Sequence, residues 1–500
     1  MHYVSLIVEF LRGRPAVVFW VTALSQAALW VIVPSLFYSA PPGDVPMLLA
    51  IGHEFRLGSY LGPPLAFWLG EMAFRVAGIY GVYLLSQACI VTAFWGVFSL
   101  GRLVAGTRHA VLAVLLMVGI AAFNVPSPEF GPSVLATALW SLALLHYWRA
   151  LGEDKRGYWF ILGFDLGLLL LASYVGVILV VLLALFTMAT PRGREALRHF
   201  EPWLALVLAA IVVFPHAVWL RQSFELVWTT ITADSSQSSL LPPAGWLAAI
   251  VVLSHIGVGL LVLLASGWRL RQNERAPEID RNPAERWARL FVYVFALAPA
   301  LVAIAIAATL GHLGPLAKIG PFIVLTALAV VVAAGDRVYL YRERAISMVW
   351  LGFLTIPPAL VVLAVFLLPW TLATALKTSQ PANAMGSFFA DNFQRRTGQP
   401  LPFVAGDPQL ATLVAVGAPT RPRLYFDNAP ERSPWANVAQ LRENGAVLVW
   451  PATDTAGTPP ADLKALFPDI VPELPRAFGL PVQGLLPLMR VGWAVVRPAR

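Results

Sequence analysis

Charged side chains are scarce in this sequence. Asp, Glu, Lys and Arg make up 12% of its 500 residues, whereas hydrophobic residues make up 58%. Soluble domains carry about 25% charged residues, because their surfaces must stay hydrated. So large a deficit of charge excludes a soluble globular protein and predicts a chain that crosses a membrane several times.

Cysteine is nearly absent as well. The single copy, Cys89, lies within an apolar run, so an internal disulfide is excluded. The sequence also has no His/Cys spacing typical of a metal site and no glycine-rich phosphate loop. We therefore predict no His/Cys metal site and no nucleotide site, and we leave a divalent cation open as a cofactor. The formal net charge is +8. The basic residues lie in short loops rather than in a patch with interleaved aromatic residues, which excludes nucleic-acid binding.

Long apolar runs predict the membrane helices. A spanning helix needs about 20 mainly apolar residues, and eleven segments fit that description or come near it. They are 15–38, 80–100, 109–124, 132–148, 158–172, 174–190, 202–220, 244–267, 290–310, 315–334 and 346–371. These predict an α-helical polytopic protein with a membrane domain over residues 1–371.

Lys and Arg in the loops predict the orientation. One set of alternate loops holds nineteen of them, and the other set holds four. Because basic residues stay on the cytoplasmic side, the N-terminus is predicted to be cytoplasmic. Eleven spans then place residues 372–500 outside, in the periplasm of a bacterial inner membrane.

The tail after residue 371 has a different character. Charged residues return, and short β-type runs at Leu401–Ala405, Arg423–Phe426 and Ala446–Trp450 alternate with helical stretches. The predicted helices are Ala382–Thr397, Pro408–Val416 and Trp435–Asn444. This alternation predicts a small extracytoplasmic α/β domain over residues 372–500.

The first outside loop, residues 39–79, holds the candidate chemistry. Amphipathic stretches at Val45–Phe55 and Leu65–Val76 would suit helices lying in the membrane interface. Asp44 precedes the first of them and has two interpretations: a general base, or an N-cap of the helix beginning at Val45. The second outside turn holds one carboxylate, Glu129, which is either a solvated turn residue or the partner of Asp44 in an active site.

Four ionisable residues within or next to predicted spans are candidate functional residues, because such residues are costly in a membrane. They are Glu71, Asp165, His255 and Lys318. Glu71 and Lys318 lie near the outside face, where a long side chain can reach water. Asp165 and His255 lie deeper, and each is either satisfied by a neighbouring helix or part of a transport path.

The first outside loop resembles a known family. Asp44, then Gly52-His53-Glu54-Phe55-x-Leu57-Gly58, then Gly62-Pro63-Pro64-Leu65-x-x-Trp68-Leu69 are similar to the first periplasmic loop of bacterial polyprenyl-phosphate-sugar-dependent glycosyltransferases. These belong to the dolichyl-phosphate-mannose-protein mannosyltransferase-like enzymes of the GT-C superfamily, which include aminoarabinose and galacturonosyl transferases of lipid A and core. Pro128-Glu129 and the helix Tyr158-Trp159 to Gly163-x-x-x-Gly167 also match in place.

The resemblance implies a function. A sugar would pass from a polyprenyl phosphate to a lipid or glycan acceptor at the periplasmic face, with Asp44 as the base and Glu129 beside it. The residues that could bind donor or acceptor are His53, Glu54, Arg56, Tyr60, Arg221, His312 and Lys318. Two family positions that are commonly basic are Gly62 and Ser173 here, so the lipid phosphate must be bound by other residues.

Two other functions remain open. A transporter or lipid flippase would use Asp165 and His255 as intramembrane polar sites. A non-catalytic envelope assembly protein would use the tail to bind partners. In each case membrane lipids surround the chain.

Overall fold

The computed structural model describes residues 2–232, 241–266, 278–281, 283–426, 429–452 and 454–499, with the side chains of residues 2–7 excepted. Within them the chain is mainly helical, and each of the eleven predicted spans coincides with helical structure. The α-helices before the tail are α1 (His2–Gly13), α2 (Pro15–Phe37), α3 (Val45–Gly52), α4 (Leu65–Ala105), α5 (Thr107–Val118), α6 (Pro132–Tyr147), α7 (Tyr158–Ala172), α8 (Gly176–Ala189), α9 (Pro191–Ala196), α10 (Glu201–Thr232), α11 (Pro243–Ser254), α12 (Ile256–Ala265), α13 (Arg286–Leu310), α14 (Thr326–Ala333) and α15 (Glu343–Thr371).

Seven helical segments among the described residues are long and apolar enough to cross a membrane. They are Pro15–Phe37, Leu65–Ala105, Pro132–Gly152, Glu201–Thr232, Pro243–Ala265, Arg286–Leu310 and Glu343–Thr371. The other four predicted spans coincide with shorter apolar helices. The protein is therefore a multi-pass membrane protein, and the count of eleven spans stays a prediction.

Small residues let α7 and α10 pack closely. A Cβ built on Gly163 would lie 2.5 Å from the carbonyl oxygen of Ala205, and one on Gly167 would lie 2.7 Å from the Cβ of Val212. Glycines four residues apart lie on one face of a helix and allow another backbone to approach, which is a common packing mode inside membranes. The Gly-x-x-x-Gly motif of the sequence thus forms a helix–helix contact.

Among the described residues, α10 leaves helical geometry at Ser223, and two other long helical segments are also interrupted. In α4 the residues Ala77 and Gly78 leave helical geometry, with Gly78 at φ 60° and ψ −149°. This break follows directly on the predicted interfacial stretch Leu65–Val76 and precedes the predicted span 80–100. The predicted span 244–267 is divided at His255, between α11 and α12.

The chain forms two compact units that are not contiguous in sequence. The first comprises Met1–Ile32, Leu61–Ala66 and Tyr83–Ala359; the second comprises Val33–Tyr60, Phe67–Val82 and Leu360–Arg500. Most of the first outside loop thus belongs to the same unit as the C-terminal tail. The predicted division at residues 371 and 372 stays a prediction.

The tail contains a five-stranded mixed sheet. Its strands are β3 (Phe403–Gly406), β4 (Arg423–Tyr425), β5 (Ala446–Pro451), β6 (Glu473–Phe478) and β7 (Met489–Val496), and its helices are α16 (Ala382–Thr397), α17 (Pro408–Gly417), α18 (Val438–Asn444) and α19 (Ala461–Leu466). The strand order is β4-β3-β5-β7-β6. β3 is parallel to β4 and β5, whereas β7 is antiparallel to β5 and β6. The predicted α/β domain is present, although the sequence analysis missed β6, β7 and α19.

One further pair of strands was not predicted. β1 (Glu278–Asp280) pairs antiparallel with β2 (Arg337–Tyr339) in the first unit. It joins two of the basic loops that lie between predicted spans.

Candidate active site

Asp44 stands at the start of α3. The helix begins at Val45 as predicted, yet the side chain of Asp44 makes no capping hydrogen bond to it. Asp44 is exposed, whereas α3 is buried on nearly every side. The helix packs in the second unit through Val45, Leu49 and Ile51. Asp44 thus combines an exposed carboxylate with a fixed backbone, and the N-cap interpretation lacks its hydrogen bond.

Glu71 is the centre of a charged cluster in the second unit. Its side chain is 1% exposed and accepts hydrogen bonds from Arg75 Nε at 2.9 Å and Arg421 Nη2 at 2.7 Å. His53 Nδ1 lies 3.1 Å from the same carboxylate. A buried carboxylate is tolerated only when it is paired and hydrogen-bonded. The interpretation of Glu71 as a side chain that reaches water is therefore wrong.

Arg421 holds this cluster from the tail. Nη2 also donates to the carbonyl oxygen of Leu49 at 3.3 Å, and the guanidinium lies 4.3 Å from the ring centre of Phe74. Burial lowers the pKa of Arg421 from its ordinary value, and the charge of Glu71 opposes that shift. The backbone of Arg421 has φ 49°, a conformation that costs a non-glycine residue about 1–3 kcal/mol. The surrounding contacts keep it there.

Glu54 forms a second link to the tail. Arg423, the first residue of β4, donates from Nε and Nη2 to the two carboxylate oxygens of Glu54, with the Nε bond at 2.9 Å. This planar two-bond arrangement fixes orientation as well as distance. Glu54, two residues after the end of α3, thus joins this segment to the tail, whereas His53 contacts Glu71 on α4. Both residues were predicted to bind donor or acceptor, and that role stays a prediction.

Tyr60 is buried beside the same sheet. Its hydroxyl donates to the sulfur of Met47 at 3.7 Å, and its ring packs edge-on against Phe426. Burial raises the pKa of Tyr60 to about 12, and the nearby charge of Arg432 opposes that shift. The Arg432 guanidinium lies 5.2 Å from the ring centre. Tyr60 therefore stays protonated at neutral pH and packs within the unit.

Glu129 and Lys318 meet in the first unit. Lys318 Nζ donates to Glu129 Oε1 at 2.7 Å, and Ser133 Oγ donates to the carbonyl oxygen of Lys318 at 3.3 Å. Lys318 is half exposed, and its ammonium reaches a carboxylate as well as water. Two predicted site residues from distant parts of the sequence thus come together. Asp44 belongs to the other compact unit.

The remaining predicted residues have different surroundings. The side chains of Arg56 and Arg221 are exposed. His312 is 9% exposed, and neither of its ring nitrogens has a hydrogen-bond partner among the residues that the structure describes. The backbone carbonyl of Arg56 accepts a hydrogen bond from Trp68 Nε1 at 2.9 Å, which fixes the loop before Gly62.

Both deep polar residues are satisfied by other helices. His146 Nδ1 on α6 lies 2.5 Å from Asp165 Oδ2 on α7. His255 Nε2 lies 2.8 Å from Thr326 Oγ1 at the start of α14, and its Nδ1 lies 2.7 Å from the carbonyl oxygen of Val251. These contacts agree with the structural interpretation of both residues.

The first departure from the family pattern has a backbone cause. Gly62 has φ 147°, a value that L side chains rarely adopt. A lysine at this position would strain the chain. Ser173 has ordinary extended geometry at the end of α7, so the loss of a basic residue there has no such cause.

Among the described residues, no group of three or more His, Cys, Asp or Glu could hold a metal ion. The alternative of a divalent cation as cofactor, which the sequence leaves open, stays open.

The arginines of the tail were not predicted from the sequence as part of the site. Arg421 and Arg423 follow a turn after α17, and their partners in the first outside loop lie some 350 residues earlier. Their positive charges in the tail were visible in the sequence, but nothing local marked which carboxylates they would meet.

Comparisons with known proteins agree with the resemblance. Residues 62–219 match the family described as dolichyl-phosphate-mannose-protein mannosyltransferase. No curated protein matches the sequence at a significant level.

Several solved structures are similar. ArnT from Cupriavidus metallidurans bound to undecaprenyl phosphate has a TM-score of 0.60 at 13% identity, covering 97% of this chain and 99% of that one. The apo state of that ArnT gives 0.49, at the same identity and coverage. The Archaeoglobus fulgidus oligosaccharyltransferase in its apo form gives 0.41 at 14% identity, over 82% of this chain and 64% of that one. The predicted resemblance is thus confirmed: residues 62–219 match this mannosyltransferase family, and the chain shares the fold of ArnT over 97% of its length.

Proposed function

We propose that the protein is a membrane glycosyltransferase. It moves a sugar from a polyprenyl-phosphate donor to a lipid or glycan acceptor of the bacterial envelope, at the periplasmic face of the inner membrane. The observation that carries the proposal is the similarity of fold, over 97% of this chain, to a structure of ArnT that is bound to undecaprenyl phosphate. The family match over residues 62–219 supports the same class of reaction.

Asp44 acts as the base. Its exposed carboxylate accepts the proton of the acceptor's nucleophilic group as that group forms a bond to the anomeric carbon of the sugar. The bond between the anomeric carbon and the phosphate oxygen breaks, and the lipid phosphate leaves with the electron pair. One displacement of this kind inverts the anomeric centre. The burial of α3 supports this role, because a catalytic carboxylate needs a fixed backbone.

Glu129 and Lys318 form a pair that binds the lipid phosphate or the acceptor. Glu129 orients the ammonium at 2.7 Å, and the half-exposed Lys318 remains open to a phosphate oxygen. Arg56 and Arg221, which are exposed, and His312 are further candidates for the same task.

The clusters around Glu71 and Glu54 hold the first outside loop against the tail. His53, Arg421 and Arg423 are positioning residues in this scheme, because their contacts are with other side chains of the second unit.

A deletion strain tests the proposal. The envelope lipids of that strain, compared by mass spectrometry with those of the parent, should lack one sugar, and the missing mass identifies the sugar and its carrier. Restoring the wild-type gene should restore the mass, whereas Asp44→Asn, expressed at the same level, should not. Unchanged envelope glycans in the deletion strain, together with counterflow of a labelled substrate in proteoliposomes, would favour the transporter instead.

A further inference from the structure

The loop that joins β6 to β7 has no charged residue. Residues 479–488 read Gly-Leu-Pro-Val-Gln-Gly-Leu-Leu-Pro-Leu. Leu485 is 65% exposed and Leu488 is 52% exposed. A loop that faces water ordinarily carries polar side chains, so the composition of this loop does not suit an aqueous surface.

The one polar side chain of the loop is used within the loop. Gln483 Nε2 donates to the carbonyl oxygens of Leu486 at 2.7 Å and Pro487 at 3.0 Å. The amide oxygen of Gln483 accepts from the N–H of Leu480 at 3.0 Å. Internal satisfaction of backbone polar groups is what an apolar environment demands of a loop.

The loop is attached to the end of the last apolar helix, within the second unit. The N–H of Leu485 donates to the carbonyl oxygen of Pro369 at 2.9 Å. Gly484, at φ 52°, approaches so closely that a Cβ there would lie 2.5 Å from the same carbonyl group. Pro369 belongs to the last turn of α15, which ends at Thr371. The loop is thus fixed at the level where α15 ends.

That level is the membrane surface. Trp370 is 60% exposed and Leu372 is 69% exposed, beside Leu367 at 52%. Exposed apolar side chains on a spanning helix face lipid, and tryptophan is enriched where such helices leave the hydrocarbon. The leucines of the loop therefore continue the lipid-facing surface of α15.

We propose that residues 479–488 insert Leu485 and Leu488 into the outer leaflet of the membrane. The occupant of this apolar surface is lipid, because the surface is continuous with a lipid-facing helix end and carries no charge for a polar partner. The tail then has its own contact with the bilayer, which fixes its height above the hydrocarbon. This inference does not depend on the proposed glycosyl transfer.

A fluorescent label tests the insertion in the full chain. The natural cysteine is replaced by Cys89→Ala, and single cysteines are introduced by Leu485→Cys or Leu488→Cys. Glu443→Cys, at an exposed position on α18, is the matched control. Each variant carries a nitrobenzoxadiazole label in vesicles of phosphatidylethanolamine and phosphatidylglycerol. Emission is measured with iodide in the water and, separately, with a nitroxide on the upper acyl chain of an added phosphatidylcholine.

Labels at 485 and 488 should emit at shorter wavelength than the label at 443, be quenched by the nitroxide lipid and resist iodide. The label at 443 should show the reverse. Iodide quenching at 485 and 488 equal to that at 443 would overturn the proposal. Protection from both quenchers would also overturn it, since a protein surface would then cover the loop.

Discussion

At the scale of single residues, two aspartates at helix starts differ in what they do. Asp407 precedes α17 and accepts hydrogen bonds from the N–H groups of Gln409 at 3.1 Å and Leu410 at 2.9 Å. Asp44 precedes α3 and makes no such bond. Both positions fit the sequence preference for an N-cap, so sequence alone could not separate the structural aspartate from the candidate base.

We therefore expect a substitution of Asp407 to lower stability and a substitution of Asp44 to lower activity. Asp407→Ala should destabilise the protein by about 1 kcal/mol, because two amide groups lose their acceptor. Asp44→Asn should leave stability close to wild type while lowering sugar transfer by roughly 100-fold or more, the usual effect of losing a general base. Thermal unfolding in detergent and a transfer assay give the two measurements. A large loss of stability in Asp44→Asn would show that the residue is structural.

The buried pair of Glu71 and Arg421 predicts a second result. Arg421→Ala leaves a carboxylate that is 1% exposed with fewer partners, and breaking a buried ion pair typically costs about 3–5 kcal/mol. Arg75 and His53 remain, so we expect a loss at or below the lower end of that range. The unfolding temperature should fall clearly.

Arg395→Ala is the control for that variant. Arg395 is exposed, and among the described residues it donates only within its own helix, to the carbonyl oxygen of Asp391 at 3.3 Å. Its replacement should change the unfolding temperature little. Equal effects of the two substitutions would contradict the assigned role of Arg421.

At the scale of elements, the sequence predicted helices better than strands. Each of the eleven predicted apolar runs coincides with helical structure in the described part of the chain, since length and hydropathy are local properties. β3, β4 and β5 were predicted within one or two residues at each end. β6 was not predicted, because it contains Pro475 and a proline within a run argues against a strand. The proline is tolerated because β6 lies at the edge of the sheet, and the register of its pairing with β7 shifts between Glu473 and Arg476.

The break in α4 gives a prediction at this scale. Gly78 has φ 60° and ψ −149°, with nothing within 4 Å of a built Cβ. Gly78→Ala should therefore destabilise the protein by about 1–3 kcal/mol through backbone strain alone.

Gly259→Ala is its counterpart within α12. Outside the neighbouring backbone of its own helix, no described atom lies within 4 Å of a Cβ there, and the backbone is helical. This substitution should stabilise the protein by about 0.5–1 kcal/mol. Thermal unfolding of the two variants should thus shift in opposite directions, and a shift in the same direction would refute the account of the break.

At the scale of the whole molecule, most of the first outside loop forms one compact unit with the tail. The sequence predicted the tail as a separate domain, because its composition changes after residue 371. It could not predict the ion pairs of Glu54 with Arg423 and Glu71 with Arg421, which join residues more than 340 positions apart. Long-range pairs of this kind leave no local pattern.

A truncated chain ending at Ser379 tests this arrangement. It lacks Arg421 and Arg423, so Glu71 and Glu54 lose their partners in the tail. We expect the truncated protein to lose sugar transfer, and we expect residues 39–64 of the first outside loop to become sensitive to protease. Full transfer activity with a resistant loop would show that the tail is dispensable.

The central claim is that the protein transfers a sugar from a polyprenyl phosphate with Asp44 as the base. The most direct measurement uses purified protein in lipid nanodiscs, lipid extract of the deletion strain as donor source and its envelope fraction as acceptor. Mass spectrometry follows the release of free polyprenyl phosphate together with the gain of one sugar on the acceptor. The wild-type protein should produce both in equal amounts, and Asp44→Asn should produce neither above background. Equal turnover by Asp44→Asn, or the absence of any glycosylated product with the wild-type protein, would contradict the account.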